Sequence, residues 1–398
     1  MKPNPIRILI ISEFFFEETT GGGLLLKNLF KNYPKKNIFI IHNDLKFKDN
    51  DYPFTYCLKK TNKTKNLLKK ILGLSFYNQL IRLRNFLGKK KKIYVEFNLA
   101  NEISDFRPQI IYTFLGDYVL MKFIKDIREK MNIPIIVHFM DNWIAKYEKE
   151  YSVESKLFNY FVRTSESVVA INKKMSSVYS QKYKRKFTVL HNGLDKKKIR
   201  KPIVTEKKKI LYIGSIYQNS QLESLVEIAE AVYQISKKND NISFNLYLPN
   251  EQKLLFNKYF PKSKSILILD HNLNDESYFE IISKSSLLIL ASNFDSESID
   301  YYKFSWPAKM PSYLMSKIPI FIYGPKKIFF VEDASKKLWA YTQTQKSKKK
   351  LEASINEIMY NKKLRNQVVK NALNVSKVFE IKNIQNKFYK LIKDQISK

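Results

Sequence analysis

Short runs of consecutive apolar residues, mostly Ile, Val, Leu and Phe, recur along the chain. Each is followed by a longer stretch in which apolar positions return at helical spacing. Runs at 6–11, 38–42, 110–113, 134–138, 168–171 and 187–190 form one series, and runs at 210–213, 242–248, 266–270, 287–291 and 318–323 form a second. A strand that is apolar at every position, not at every second one, is buried on both faces. That is the mark of a parallel sheet lying between helix layers. Such strands alternating with helices predict an α/β fold, and two series predict two doubly wound, Rossmann-like domains.

Residues 195–209, between the series, are almost free of apolar content and hold Lys196, Lys197, Lys198, Lys207, Lys208 and Lys209. They read as a linker. The expected division is an N-terminal domain over 1–197, a C-terminal domain over 206–377 and a terminal helix over 378–398. In that helix Ile381, Ile384, Phe388, Leu391 and Ile392 mark an apolar face, and the first domain is a candidate surface for it to pack back on. A length of 398 residues suits two domains of ~200 each. Seven of the nine glycines (Gly21, Gly22, Gly23, Gly116, Gly193, Gly214 and Gly324) fall after expected strands or in the loops that follow them. Open α/β sheets bind ligands outside the carboxyl ends of their strands, although glycine there is also ordinary turn punctuation.

Charge narrows the partners. The 71 basic and 37 acidic residues give a net charge of +34, which implies an anionic partner: a phosphorylated substrate, a phospholipid surface or nucleic acid. Only nine of the basic residues are arginine, the side chain suited to bidentate phosphate and guanine recognition. No nucleic-acid-binding module is visible either, so nucleic acid is not an expected partner, and a basic nucleic-acid-binding protein stands as the alternative class. Cys57 is the one cysteine, and His42, His138, His191 and His271 show no ligand spacing, so neither a disulfide framework nor a metal is expected. No apolar run reaches ~18 residues, and the N-terminus lacks the apolar core of a secretion signal. A cytoplasmic protein is expected. Between Asn66 and Lys92, Leu67, Ile71, Leu74 and other apolar residues are flanked by Lys69, Lys70, Arg82, Arg84 and Lys89 to Lys92. This segment is a candidate for lying on an anionic membrane surface, or for a core-facing helix with a solvated lysine face.

Several segments carry chemistry. Gly21-Gly22-Gly23 opens an apolar helix, exposing backbone N–H groups at the positive end of its dipole, where a diphosphate fits. It is neither a GxGxxG fingerprint nor a P-loop. Further on, a buried strand emerges into His138-Phe-Met-Asp141-Asn142, and Val168-Val-Ala-Ile-Asn172 precedes Phe187-Thr-Val-Leu-His191-Asn192-Gly193-Leu194-Asp195. Ile210-Leu-Tyr-Ile-Gly214-Ser215 opens the second series, and Phe304-Ser305-Trp306-Pro307-Ala308-Lys309-Met310-Pro311-Ser312-Tyr313 comes late in the chain. Together these segments, spanning the whole chain, resemble glycosyltransferase family 4 and its close relatives on the GT-B fold. In that fold two Rossmann-like domains face each other across a cleft.

The resemblance implies a nucleotide-diphosphate sugar as donor, held by the C-terminal domain, and a glycan or lipid-linked acceptor at the N-terminal one. It also implies retention of anomeric configuration without a bound metal or other cofactor, and a place in surface-polysaccharide biosynthesis. Donor-side candidates are Gly22, Gly23, Gly214, Ser215, Asn219, His271, Ser305, Pro307, Ser312 and Tyr313. Lys309 would meet the growing charge of the leaving diphosphate. Asp141 and His138 are the candidates for cleft chemistry, Asp141 toward the acceptor hydroxyl or the transferred sugar. The plainer readings are a helix cap for Asp141 and a core histidine for His138. Two departures stand out: the family's Arg and Lys soon after the second-domain glycine are replaced by Ser215 and a polar loop, and Phe304 and Ser312 stand where a pair of Glu residues is usual. A catalytically impaired GT-B protein that serves as a binding partner is therefore a further alternative.

Overall fold

A computed structural model describes residues 5–13, 15–16, 21–42, 52–58, 97–116, 118–140, 142, 153–260 and 263–397. Asp141 and the basic amphipathic segment 66–92 lie outside the described residues. Strands β1 (Ile8–Ser12), β2 (Ile38–His42), β3 (Phe54–Cys57), β4 (Ile110–Thr113), β5 (Ile135–Phe139), β6 (Ser167–Ala170) and β7 (Thr188–Val189) form one sheet, ordered β3-β2-β1-β4-β5-β6-β7. Strands β8 (Lys208–Ile213), β9 (Ile242–Leu248), β10 (Ile266–Asp270), β11 (Leu287–Ala291), β12 (Ile320–Tyr323) and β13 (Tyr341–Gln343) form another, ordered β10-β9-β8-β11-β12-β13. Every neighbouring pair is parallel. Both sheets start in the middle, at β1 and β8, run outward to one edge and then return to the other side. The protein is two doubly wound α/β domains.

The continuous apolar runs are explained by how these strands are covered. In β8, Ile210 and Tyr212 enter one core while Leu211 and Ile213 enter another, on the opposite face of the sheet. In β12, Phe321 and Tyr323 divide from Ile320 and Ile322 in the same way. Successive side chains on a strand point to opposite faces, so two covered faces require an apolar residue at every position.

Two edge strands, β3 and β13, escape the apolar pattern because they are short and their outer positions are polar or partly exposed. The lysine-rich stretch also ends earlier than its composition suggests, since Lys208 and Lys209 are already in β8. Lys208 extends its ammonium over the Tyr360 ring, 3.6 Å from the centroid, so its charge stays near solvent while its stem covers apolar surface.

The chain passes between the domains twice, at one place. The Leu194 N–H donates to the Phe379 carbonyl (2.9 Å), and the Ile381 N–H donates to the Leu194 carbonyl (3.1 Å). Lys196 and Glu380 add an ion pair of 3.1 Å across the two passes. A Cβ on Gly193 would lie 3.1 Å from the Ile381 Cα, so glycine permits this close approach. The helix Ile381–Ile396 then lies against the first domain. Its Ile384, Phe388 and Ile392, four residues apart, enter that domain's core. Phe388 packs edge-on against Phe30 and Tyr112, with ring centroids 5.0 and 5.2 Å away. Among the described residues, no helix is long and apolar enough to cross a membrane.

Candidate active site

The strand order reverses between β1 and β4 in the first sheet and between β8 and β11 in the second. At such switch points the loops leaving adjacent strands diverge and leave a crevice. A cavity of about 490 Å³ lies where the two crevices meet. The N-terminal domain contributes Gly21 and Gly22, at the start of the helix Gly21–Phe30, together with Phe114, His138 and Met140. The C-terminal domain contributes Gly214 and Ser215, which leave β8, the turn around His271, and the segment from Ser305 to Ser312.

Lys309 is the centre of the second-domain wall. Its ammonium donates to the Ile213 carbonyl and lies 4.0 Å from the centroid of the Tyr212 ring. A Cβ on Gly214, whose φ is +138°, would come within 2.8 Å of that ammonium. Glycine is favoured here by its backbone conformation, and a larger residue would also push the end of the lysine aside. Burial pushes the Lys309 pKa down to about 7. His271 is also pushed below its ordinary value, first by burial and then by the Lys309 charge.

The loop after β8 is fixed from beneath. The Tyr212 hydroxyl and the Gln221 amide both donate to the Ser215 carbonyl at 2.7 Å. The Ser312 hydroxyl donates to the Lys309 carbonyl at 2.7 Å, which leaves its oxygen to accept from the Tyr278 hydroxyl at 2.8 Å. These bonds hold the residues on either side of Lys309 without involving its ammonium.

On the opposite wall His138 stands one residue before the end of β5, its Nδ1 2.7 Å from the Tyr112 hydroxyl. Its ring lies against Phe114 at 5.6 Å. Burial pushes its pKa down to about 3, so the imidazole is neutral throughout the physiological range. Neighbouring His191 is likewise pushed down to about 4 by burial.

Most of the residues singled out from sequence meet at this cavity: His138, Gly22, Gly214, Ser215 and His271, with Ser305, Pro307, Lys309 and Ser312 on the late segment. Three are placed elsewhere. Gly23 is buried one position further into its helix, Asn219 is exposed on the loop before the helix Leu222–Ser236, and Tyr313 is fully buried in the core of the second domain. Sequence reasoning passed over Tyr212 and Tyr278, which nothing in their strand and helix patterns separates from ordinary core residues. It also passed over Lys198, which lines the cavity from the linker and pairs there with Asp275 of the helix Asp275–Ser283. A lysine among so many carries no signal of its own. Among the described residues, no group of three or more His, Cys, Asp and Glu is placed to hold a metal ion.

No family model matches the sequence, and no curated protein matches it in sequence. Solved structures do match in three dimensions. Sucrose-phosphate synthase from Thermosynechococcus elongatus superposes with a TM-score of 0.63 at 11% identity, over 98% of this chain and 99% of that one. Anabaena HepE in complex with UDP-glucose superposes at 0.65 and 11% identity, over 97% and 99%. The UDP-forming α,α-trehalose-phosphate synthase from Burkholderia vietnamiensis superposes at 0.66 and 11% identity, over 99% and 98%.

The fold is GT-B. It runs the length of the chain, with the cavity described above in the cleft between its two domains.

Proposed function

We propose that the protein is a glycosyltransferase that moves a sugar from a nucleoside-diphosphate donor to a glycan or lipid-linked acceptor. The observation that carries this reading is the position of Lys309, an amine in the cavity wall bonded to no carboxylate among the described residues, beside the Gly214 turn at a sheet switch point. A nucleoside diphosphate leaves with growing negative charge, and an ammonium in a water-poor cavity stabilises that charge far better than one in water. Gly214 and Ser215 let the phosphates approach the backbone, and His271 and Ser305 complete the donor wall.

In the transfer, the bond from the anomeric carbon to the diphosphate oxygen breaks as the acceptor oxygen bonds to that carbon. The acceptor's hydroxyl proton passes to the departing phosphate oxygen on the same face, with retention of configuration. A neutral, buried His138, bonded through Nδ1 to the Tyr112 hydroxyl, shapes the wall facing the sugar and does not act as a base. Asp141 is the candidate for contacting the acceptor hydroxyl. The structural neighbours that bear the names of UDP-dependent synthases, or were solved with UDP-glucose, make uridine nucleotides the first donors to try. The charge of +34 and the basic segment 66–92 support a peripheral position on an anionic membrane face, with an acceptor of the surface-polysaccharide kind.

A thermal-shift panel of nucleoside diphosphates and nucleotide sugars tests this reading on wild type and Lys309→Ala. A ligand at ~100 times its Kd stabilises by about 2.7 kcal/mol. One nucleotide series should raise the wild-type Tm and raise that of the variant by half as much or less. If no nucleotide raises the wild-type Tm, the proposal fails.

A further inference from the structure

Three asparagines stand at the carboxyl ends of adjacent strands of the first sheet: Asn142 after β5, Asn172 after β6 and Asn192 after β7. All three are buried, and each divides its amide in the same way. The carbonyl end is held inside the N-terminal domain. Asn142 accepts from the Tyr179 hydroxyl (3.1 Å), Asn172 caps its helix by accepting from the Met175 N–H (2.9 Å), and Asn192 accepts from the Asn28 amide (2.9 Å). The Nδ2 end crosses to the other domain. Asn142 donates to the Asp300 carbonyl (2.9 Å), Asn172 to the Phe304 carbonyl, and Asn192 to the Ala308 carbonyl (3.3 Å).

The three acceptors are four residues apart on one segment, which runs from the last turn of the helix Ser296–Tyr302 to the residue before Lys309. Last-turn carbonyls of a helix lack intrahelical partners, and so does the irregular backbone that follows. The asparagines supply a donor to each of the three carbonyls. Phe304 strengthens the attachment: it belongs to the second domain by chain position, yet its ring is buried in the core of the first, 5.8 Å from Tyr179. The segment that ends in Lys309 is thus fastened to the domain opposite the one that carries it.

We infer that Asn142, Asn172 and Asn192 are positioning residues of the donor site: they bind the Asp300–Ala308 backbone across the cleft and so set Lys309 beside Gly214 when the two domains are together. This rests on the glycosyltransferase reading for its consequence at the donor, and not for the clamp itself. Substrate-driven closure then needs no separate signal, because bringing the domains together completes the Lys309 wall.

Replacement by aspartate isolates the cross-domain half of each amide. Asn172→Asp keeps an oxygen for the Met175 N–H, and Asn142→Asp and Asn192→Asp keep theirs for Tyr179 and Asn28. Each presents a carboxylate oxygen to a carbonyl where a donor had been. The triple variant is compared with wild type and with a second triple variant, Asn257→Asp, Asn383→Asp and Asn386→Asp, an equal charge change at exposed positions. Solution scattering should give the triple variant a larger radius of gyration, with unchanged circular dichroism. UDP, titrated calorimetrically, should bind about tenfold more weakly, the loss expected when one charge-assisted hydrogen bond is misplaced. With Lys309 released from burial, the pH above which UDP affinity declines should move upward in the variant, which a merely structural contact would not cause. An unchanged radius together with an unmoved UDP profile overturns the inference, whatever happens to the Tm. If wild type fails to bind UDP and every other nucleotide, the glycosyltransferase reading falls, and the scattering comparison alone then sustains or overturns the clamp.

Discussion

The ammonium of Lys309 lies 4.0 Å from the centre of the Tyr212 ring and donates to the carbonyl of Ile213, the residue before Gly214. A cation held by a ring face and one carbonyl, and depressed in pKa by burial, is under-compensated until an anion arrives. Lys309→Met should therefore weaken nucleoside-diphosphate binding by about 10–100-fold, the range of a charge-assisted hydrogen bond. The same substitution should leave the Tm of the free protein unchanged or higher, because it removes a poorly compensated buried charge. Calorimetric titration and a melting curve on one preparation check both halves.

Opposite pH dependences follow for binding and stability. The unliganded Lys309 titrates near about 7, against an ordinary value of 10.5. Only the ammonium attracts the diphosphate, so affinity should be level below pH 7 and then fall by about tenfold per unit until the pKa of the bound form is passed. Stability from this group should instead rise between pH 7 and 10.5, where the unfolded chain holds a proton that the folded chain has lost. Titrations and denaturant melts at pH 6, 7.5 and 9 read the two trends. Lys309→Met should flatten both.

Gly214→Ala should disable the donor wall without dismantling the domain. Alanine at φ +138° is strained, and its Cβ would fall 2.8 Å from the Lys309 ammonium. Strain of this kind costs on the order of 1–3 kcal/mol, which appears as a lowered Tm. Displacement of the ammonium should abolish the thermal shift produced by nucleotide. A variant that keeps the full shift would show that the cradle is not the phosphate site.

The crossing of the two interdomain passes should be as sensitive as a core position. Gly193→Ala would drive a methyl to 3.1 Å from the Ile381 Cα, and Phe388→Ala would empty the space between Phe30 and Tyr112. Overpacking costs about 1–3 kcal/mol and removal of a buried phenylalanine about 3–5 kcal/mol. Melting by circular dichroism should rank Phe388→Ala below Gly193→Ala, with wild type above both.

The arrangement of strands was open to reading in the sequence because burial on both faces leaves an unambiguous trace. Ile38–His42, Ile110–Thr113 and Leu287–Ala291 are apolar almost throughout, and they are strands over those same residues. The glycine after β8 and the lysine after Pro307 are singled out by the resemblance of their segments to glycosyltransferase family 4, not by periodicity. Strands β3 and β13 left no such trace, since they are only four and three residues long and most of their positions are Thr, Tyr, Cys or Gln.

What required the tertiary structure was everything set by residues far apart in the chain. Asn172 reads as a helix cap from its neighbours, and it is one. That its other half reaches Phe304, 132 positions on, depends on how two separate sheets face each other. Tyr212 and Lys309 are 97 positions apart and meet through packing within the second domain. Local pattern determined which segments are buried, because burial is a property each strand carries in its own side chains. The composition of the cleft was decided by domain packing, because the short-range hydrogen bonds and charges that build it act over a few ångströms of space and have no fixed period along the chain.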